Sequence, residues 1–199
     1  MLSLIHSQSR TTMRNPQEDI TVDEQVLLQR IIMGDMLAFE AFYKVYYPRL
    51  FRFILRMTRS PDSVEELIQE TLMVVWEKPD RFNHDSKIST WVFGIAYHKA
   101  LKAMSNSNRR GNDVDVDELA ETLGDPSANQ AQSQENQDWL NRALAALPPD
   151  QRAVIELTFY YDLPYQDIAK ILDCPENTVK TRMFHARKKL QVFAATQEC

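Results

Sequence analysis

Apolar residues recur three and four positions apart along most of the chain, the spacing of one face of a helix. Leu27, Leu28, Ile31 and Ile32 form the first stripe. Gly34-Asp35 interrupts it, and Asp35 is placed to cap a helix carrying Ala38, Phe39, Phe42 and Tyr46. Leu50, Phe51, Ile54 and Leu55 continue that stripe after Pro48. Ser60-Pro61 marks the next start, with Ser as N-cap and Pro in the first helical position. The helix behind it sets Val64, Leu67, Ile68, Thr71, Leu72, Val75 and Trp76 on one face. Glu65, Glu66, Gln69, Glu70, Met73 and Glu77 occupy the other, and Lys78-Pro79-Asp80 ends it. A polar loop then leads to Ser89, a candidate cap for a helix over about 90–104 with Trp91, Ile95 and Leu101 inward.

The pattern fades between 109 and 137 and resumes at Trp139. Trp139, Leu140, Leu144 and Leu147 predict a short amphipathic helix stopped by Pro148-Pro149. Asp150 is a candidate cap for a helix with Val154, Ile155 and Leu157, and Leu163-Pro164 breaks the chain again. Tyr165 to Leu172 reads as a short helix with Ile168, Ala169 and Leu172 inward. Asp173-Cys174-Pro175 reads as a turn, followed by a helix to about Val192 that points Val179, Met183, Ala186 and Leu190 at the core. A short helix, a tight turn and a longer basic helix make the helix-turn-helix pattern.

The chain is therefore all-α: two small helical domains, 24–108 and 138–195, joined by a linker over 109–137, with 1–23 a poorly ordered extension. Composition supports this, since 199 residues carry only four glycines. The linker lacks the large apolar residues needed for a core, and only a short helix over Asp117 to Leu123 is allowed in it. Charge sharpens the division. Lys99, Lys102, Arg109 and Arg110 precede a stretch, Gly111 to Asn141, with eight acids and no Lys or Arg. Lys180, Arg182, Arg187, Lys188 and Lys189 follow it. A net charge of −5 argues against a free-standing DNA binder, yet two basic segments flank the acidic one.

Several chemistries are excluded. No apolar run approaches the roughly 20 residues of a membrane span, so no membrane insertion is expected. Cys174 and Cys199 form no disulfide framework, which fits a reducing cytoplasm, and no Cys/His cluster has metal-ligand spacing. Adjacent acids such as Glu65 and Glu66 diverge around a helix, and neither a nucleophile-base pair nor a phosphate-cradling Gly loop is present. No enzymatic activity and no cofactor is expected.

Pro164-Tyr165-Gln166-Asp167-Ile168-Ala169, then Asp173 to Arg182 and Ala186-Arg187, resemble region 4 of extracytoplasmic-function sigma factors. Asp173 and Asn177 stand where that family commonly has Gly. Gly34-Asp35, Ala38-Phe39, Glu65 to Thr71 and Ser89-Thr90-Trp91 resemble region 2 of the same family. The resemblance implies a factor that binds core RNA polymerase and directs promoter-specific initiation. It implies that Glu66, Gln69 and Glu70 dock on the clamp helices of the largest subunit. The loop Asn83, His84, Asp85, Ser86, Lys87 and Ile88, with Trp91 and His98, matches the pocket for an extruded −10 base, and Lys99, Lys102, Arg109 and Arg110 are then expected to hold phosphates. His98 holds a position often occupied by Asn in relatives. Thr178, Lys180, Thr181, Arg182, Phe184, His185 and Lys188 match the positions facing the −35 element. An anti-sigma protein is an expected partner. The alternative is a stand-alone helix-turn-helix regulator, which would bind its operator without polymerase and leave the Glu66-Gln69-Glu70 face unused.

Overall fold

The computed structural model describes residues 23–110 and 139–197. The expectations for the N-terminal extension and for most of the acidic linker, with its short helix, lie outside these residues. Every regular element among the described residues is helical.

Asp23 and Asp35 cap the first two helices, α1 (Glu24–Ile32) and α2 (Met36–Thr58). Each carboxylate accepts from two backbone N–H groups of the first turn, for Asp35 those of Leu37 at 2.9 Å and Ala38 at 3.2 Å. Arg30 ion-pairs with Asp35 at 2.7 Å and closes the corner. Pro48 lies within α2 on its exposed side, so the stripe on either side of it belongs to one helix. Arg59 ends α2 in the left-handed conformation at φ 56°.

The next helix, α3 (Pro61–Glu77), starts at Ser60-Pro61, although the Ser60 side chain makes no capping bond. A 3-10 turn, Pro79–Arg81, and a polar loop lead to α4 (Ile88–Arg110). That helix begins at Ile88 because its first turn closes on the Lys87 carbonyl, through the Trp91 N–H at 3.2 Å. Ser89 is therefore buried in the first turn instead of capping it. The core side of α4 is formed by Val92, Phe93, Ala96, Tyr97 and Ala100. Trp91, Ile95 and Leu101, expected inward, are half-buried.

In the C-terminal part, α5 covers 139–145, α6 is Pro149–Phe159, α7 is Tyr165–Ile171 and α8 is Glu176–Gln197. Pro148 precedes α6, and Asp150 lies in its first turn, not at the cap. Asp173 takes a left-handed φ of 47° in the turn between α7 and α8.

The two parts do not stand apart. A single buried cluster runs from Leu27 to Ala186 without a break. From Arg152 to Leu157 every residue of α6 is buried. A helix buried all round needs neighbours on every side. Here α7 and α8 cover part of α6, α2 covers another part, and α7 packs on α4.

Candidate nucleic-acid interface

The recognition-helix residues share one exposed face of α8. Lys180, Thr181, Phe184, His185 and Lys188 are exposed, while Val179, Met183 and Ala186 are buried behind them. Phe184 is 64% exposed, which leaves a large apolar ring available to a partner. Lys180 pairs with Glu176 one turn earlier at 2.7 Å, and the Thr181 hydroxyl donates to the Asn177 carbonyl at 2.9 Å. Thr178 is half-buried. Arg182 does not join this face. It is turned inward, ion-paired with Asp150 at 2.5 Å and hydrogen-bonded to the Cys174 sulfur at 3.5 Å, so it ties α8 to α6.

Of the expected −10 residues, His84 and Trp91 meet at Phe82. Asn83, His84, Asp85 and Lys87 are exposed and Ser86 is half-buried. The Asn83 amide donates to the Asp85 carboxylate at 2.7 Å, and its carbonyl accepts from the Asp85 N–H at 3.2 Å. This local pairing fixes the loop, and His84 adopts a left-handed φ of 62° within it. The buried Phe82 ring lies 4.7 Å from His84 and 5.5 Å from Trp91, joining loop and helix. Phe82 has no role in the motif pattern, and its position one residue before the polar run is the only signal for it. Ile88 departs from expectation, being 3% exposed, a core anchor beneath the loop with no surface to offer a base. His98 and Lys102 are exposed further along α4.

On α3, Glu66, Gln69 and Glu70 are exposed on the side opposite the buried Leu67 and Ile68. Met73 extends this face at 50% exposure. Glu70 accepts an ion pair from Lys99 at 2.7 Å. The acidic face of α3 and the basic side of α4 therefore adjoin, and two residues expected to meet different partners hold one another. On the flank of this face, the Tyr47 hydroxyl donates to Glu65, and that bond pushes the tyrosine up to about 12. Groups of three or more His, Cys, Asp or Glu that could hold a metal ion are absent among the described residues. The described helices are also all too short or too polar to cross a membrane.

Residues 42–110 match Sigma-70 region 2, and residues 137–190 match Sigma-70, region 4. The ECF RNA polymerase sigma-E factor of Escherichia coli (strain K12) is 32% identical over 176 residues, covering 84% of this chain and 92% of the relative. The chain belongs to the extracytoplasmic-function sigma factors. The RNA polymerase sigma-H factor of Pseudomonas aeruginosa is 28% identical over the same share of the chain. Among solved structures, the sigma factor RpoE in complex with the anti-sigma factor NepR from Bartonella quintana is similar, with a TM-score of 0.64 at 28% identity. The match covers 79% of this chain and 96% of that one. CnrH in complex with the cytosolic domain of CnrY shares the fold at a TM-score of 0.65 and 18% identity. As a member of this family the chain is an initiation factor that works with core RNA polymerase at promoters, and the stand-alone regulator reading is not favoured.

The sequence reading missed a second set of polar residues, buried between the two parts. Arg152 is 5% exposed, and its guanidinium donates to five carbonyls. Those of Leu144, Ala145 and Leu147 belong to the α5 end, and those of Arg56 and Met57 to the end of α2. Burial pushes Arg152 down to about 10, against the nearby charge of Glu156. Glu156 is fully buried and pairs with Arg56 at 2.9 Å. Arg56 also lies over the Tyr160 ring at 3.6 Å. The signal was present as an Arg and a Glu four residues apart inside an otherwise apolar run.

Proposed function

We propose that 24–108 acts as region 2 and 138–195 as region 4, joined through the linker 109–137. Glu66, Gln69 and Glu70 dock on the polymerase clamp helices. The loop Asn83 to Lys87, Trp91 and His98 surround an extruded −10 base, with Lys99 and Lys102 holding phosphates. Thr178, Lys180, Thr181, Phe184, His185 and Lys188 face the −35 element in the major groove. Arg182 positions α8 and Ile88 seats the loop. The factor has no catalysis of its own, works in the cytoplasm where core enzyme and DNA are found, and is held by an anti-sigma partner, as its Bartonella relative is in its complex.

The observation that carries this reading is the single exposed face of α8, in which basic, polar and apolar side chains stand opposite a buried stripe. A cation reads phosphate or guanine, and an exposed ring can pack on a thymine methyl. The test is transcription from a randomised promoter library with purified core enzyme and Lys180→Ala, Thr181→Ala or His185→Ala protein. A base-edge contact shifts preference at one −35 position by about 1–3 kcal/mol. A phosphate contact lowers activity evenly across sequences. Wild-type activity and preference in all three variants would reject the recognition-helix assignment.

A further inference from the structure

Three of the chain's four histidines lie among the described residues, and all three are exposed on the surfaces assigned to the promoter: His84 in the loop before α4, His98 on α4 and His185 on α8. Each ring touches an aromatic neighbour, Phe82 at 4.7 Å, Tyr97 at 5.4 Å and Phe184 at 5.5 Å between centroids. Among the described residues, no ion pair or hydrogen bond engages their ring nitrogens. The nitrogens are therefore open to solvent and to an incoming phosphate. The cations on the same surfaces are less available. Lys99 is paired with Glu70, Lys180 with Glu176 and Arg182 with Asp150. Lys87, Lys102 and Lys188 have no such pair among the described residues. Three imidazolium charges would match that number, on a chain whose net charge is −5.

Imidazole changes charge within the ordinary range of solution pH, and as the cation it donates from both nitrogens. The charges around each ring set the sign of the response. His84 has Arg81, Asp85 and Lys87 near it in the chain; the Asn83 amide bonds the Asp85 carboxylate, and α7 brings Lys170 to the Asp85 carbonyl. His98 has Lys102 one turn further on; from α3, Glu70 reaches α4 but is held by Lys99, and from α2, Arg49 lies over the Phe93 ring. His185 has Lys188 and Lys189 within one turn. From α6, Asp150 is held by Arg182 while Arg152 and Glu156 are buried, and the charged residues of α7 are Asp167 and Lys170. Cations prevail around the rings and disfavour a further positive charge in the free chain, whereas a phosphate in contact favours it. A group that is charged more readily in the complex makes binding take up a proton, and affinity then rises as pH falls.

We propose that promoter binding by this chain is proton-linked, with His84, His98 and His185 acting as phosphate contacts that acid switches on. The inference rests on the proposed −10 and −35 surfaces and adds to them a response to pH that needs no partner protein. Affinity for a promoter increases as the solution is acidified. The salt dependence steepens with it, by about 0.7–0.9 in the logarithmic slope for each imidazolium that meets a phosphate.

The test uses holoenzyme assembled from purified core polymerase, and a promoter fragment that the wild-type protein selects from the randomised library. Its apparent affinity is measured by fluorescence anisotropy at about pH 8 and about pH 6. The proteins compared are wild type, a triple variant combining His84→Gln, His98→Gln and His185→Gln, and the single variant His185→Lys. Glutamine takes up no proton, and lysine is charged at both values. The pH response of core polymerase is common to all of them and cancels in the comparison. On going to the lower pH, affinity is expected to rise about tenfold more for wild type than for the triple variant, with a steeper salt slope that the triple variant lacks. His185→Lys is expected to bind more tightly than wild type at the higher pH and to respond less to acid. Parallel pH curves for wild type and the triple variant would overturn the proposal, and so would a wild-type salt slope that is the same at both values. If the triple variant loses helicity by circular dichroism, the three single glutamine variants decide, and curves that all run parallel to wild type reject the linkage. Failure of wild type to select any promoter at either value would instead remove the promoter surfaces themselves, and the inference with them.

Discussion

At the scale of single residues, the interface between the parts is governed by desolvation. Arg152 is tolerated in the core because each of its guanidinium nitrogens has a carbonyl to bond, a match that depends on the planar fork. Arg152→Lys retains the charge but cannot reach two helix ends at once. It is expected to destabilise the chain by about 3–5 kcal/mol, within the range for breaking buried charged networks, and denaturant titration of the full chain measures it. A loss below about 1 kcal/mol would mean that the carbonyls are satisfied by water. Glu156 gives a pH test. Burial raises its carboxyl above the usual value of 4.5, against the opposing charges of Arg56 and Arg152, with Tyr160 and Tyr161 nearby. A raised native value means that its contribution is fully present below the unfolded glutamate range and is lost as pH rises through the native value. Relative to Glu156→Gln, the melting temperature of the wild type should therefore decline from about pH 4.5 upward. Parallel curves for the two proteins would contradict this.

At the scale of elements, most boundaries follow local chemistry, and the exceptions have local causes. Asp35 caps α2 as its sequence position predicts, because its short carboxylate reaches the first-turn N–H groups. Asp150 does not cap α6, because Pro148-Pro149 already sets the start, and its carboxylate is engaged by Tyr97 and Arg182. The turn of the helix-turn-helix makes a sharper case. Asp173 takes a left-handed φ of 47°, a conformation that glycine enters without steric cost, which agrees with the Gly of the pattern that this turn resembles. Asp is among the few L residues that enter this region readily, and a β-branched side chain is not. Asp173→Val should lower stability by about 1–2 kcal/mol, whereas Asp173→Gly should stay within about 1 kcal/mol of wild type. Thermal melting of the two variants side by side checks this, and equal stability would show that the turn has changed its backbone.

At the scale of the whole molecule, the sequence by itself determined the all-α class, the two helical segments, the Asp35-capped start of α2, the Ser60-Pro61 start of α3 and the polar faces of α3 and α8. Those features depend on residues within one or two turns of each other, so periodicity and capping chemistry suffice to read them. The candidate site was legible to the same extent: Lys180, Thr181, Phe184, His185 and Lys188 share a face because 3.6 residues make a turn. Burial of Ile88 and the inward turn of Arg182 were not legible, since both depend on partners far along the chain, the core beneath the loop for one and Asp150 for the other. The same holds for the packing of the two parts on each other. An amphipathic pattern marks which face of a helix is apolar and does not say which helix covers it. Only the tertiary structure decided that Tyr161 would pack against both Phe53 and Phe93 and that Arg152 would bond the end of a helix almost a hundred residues earlier. Such contacts form between groups that no local rule pairs, where burial removes water as the alternative partner.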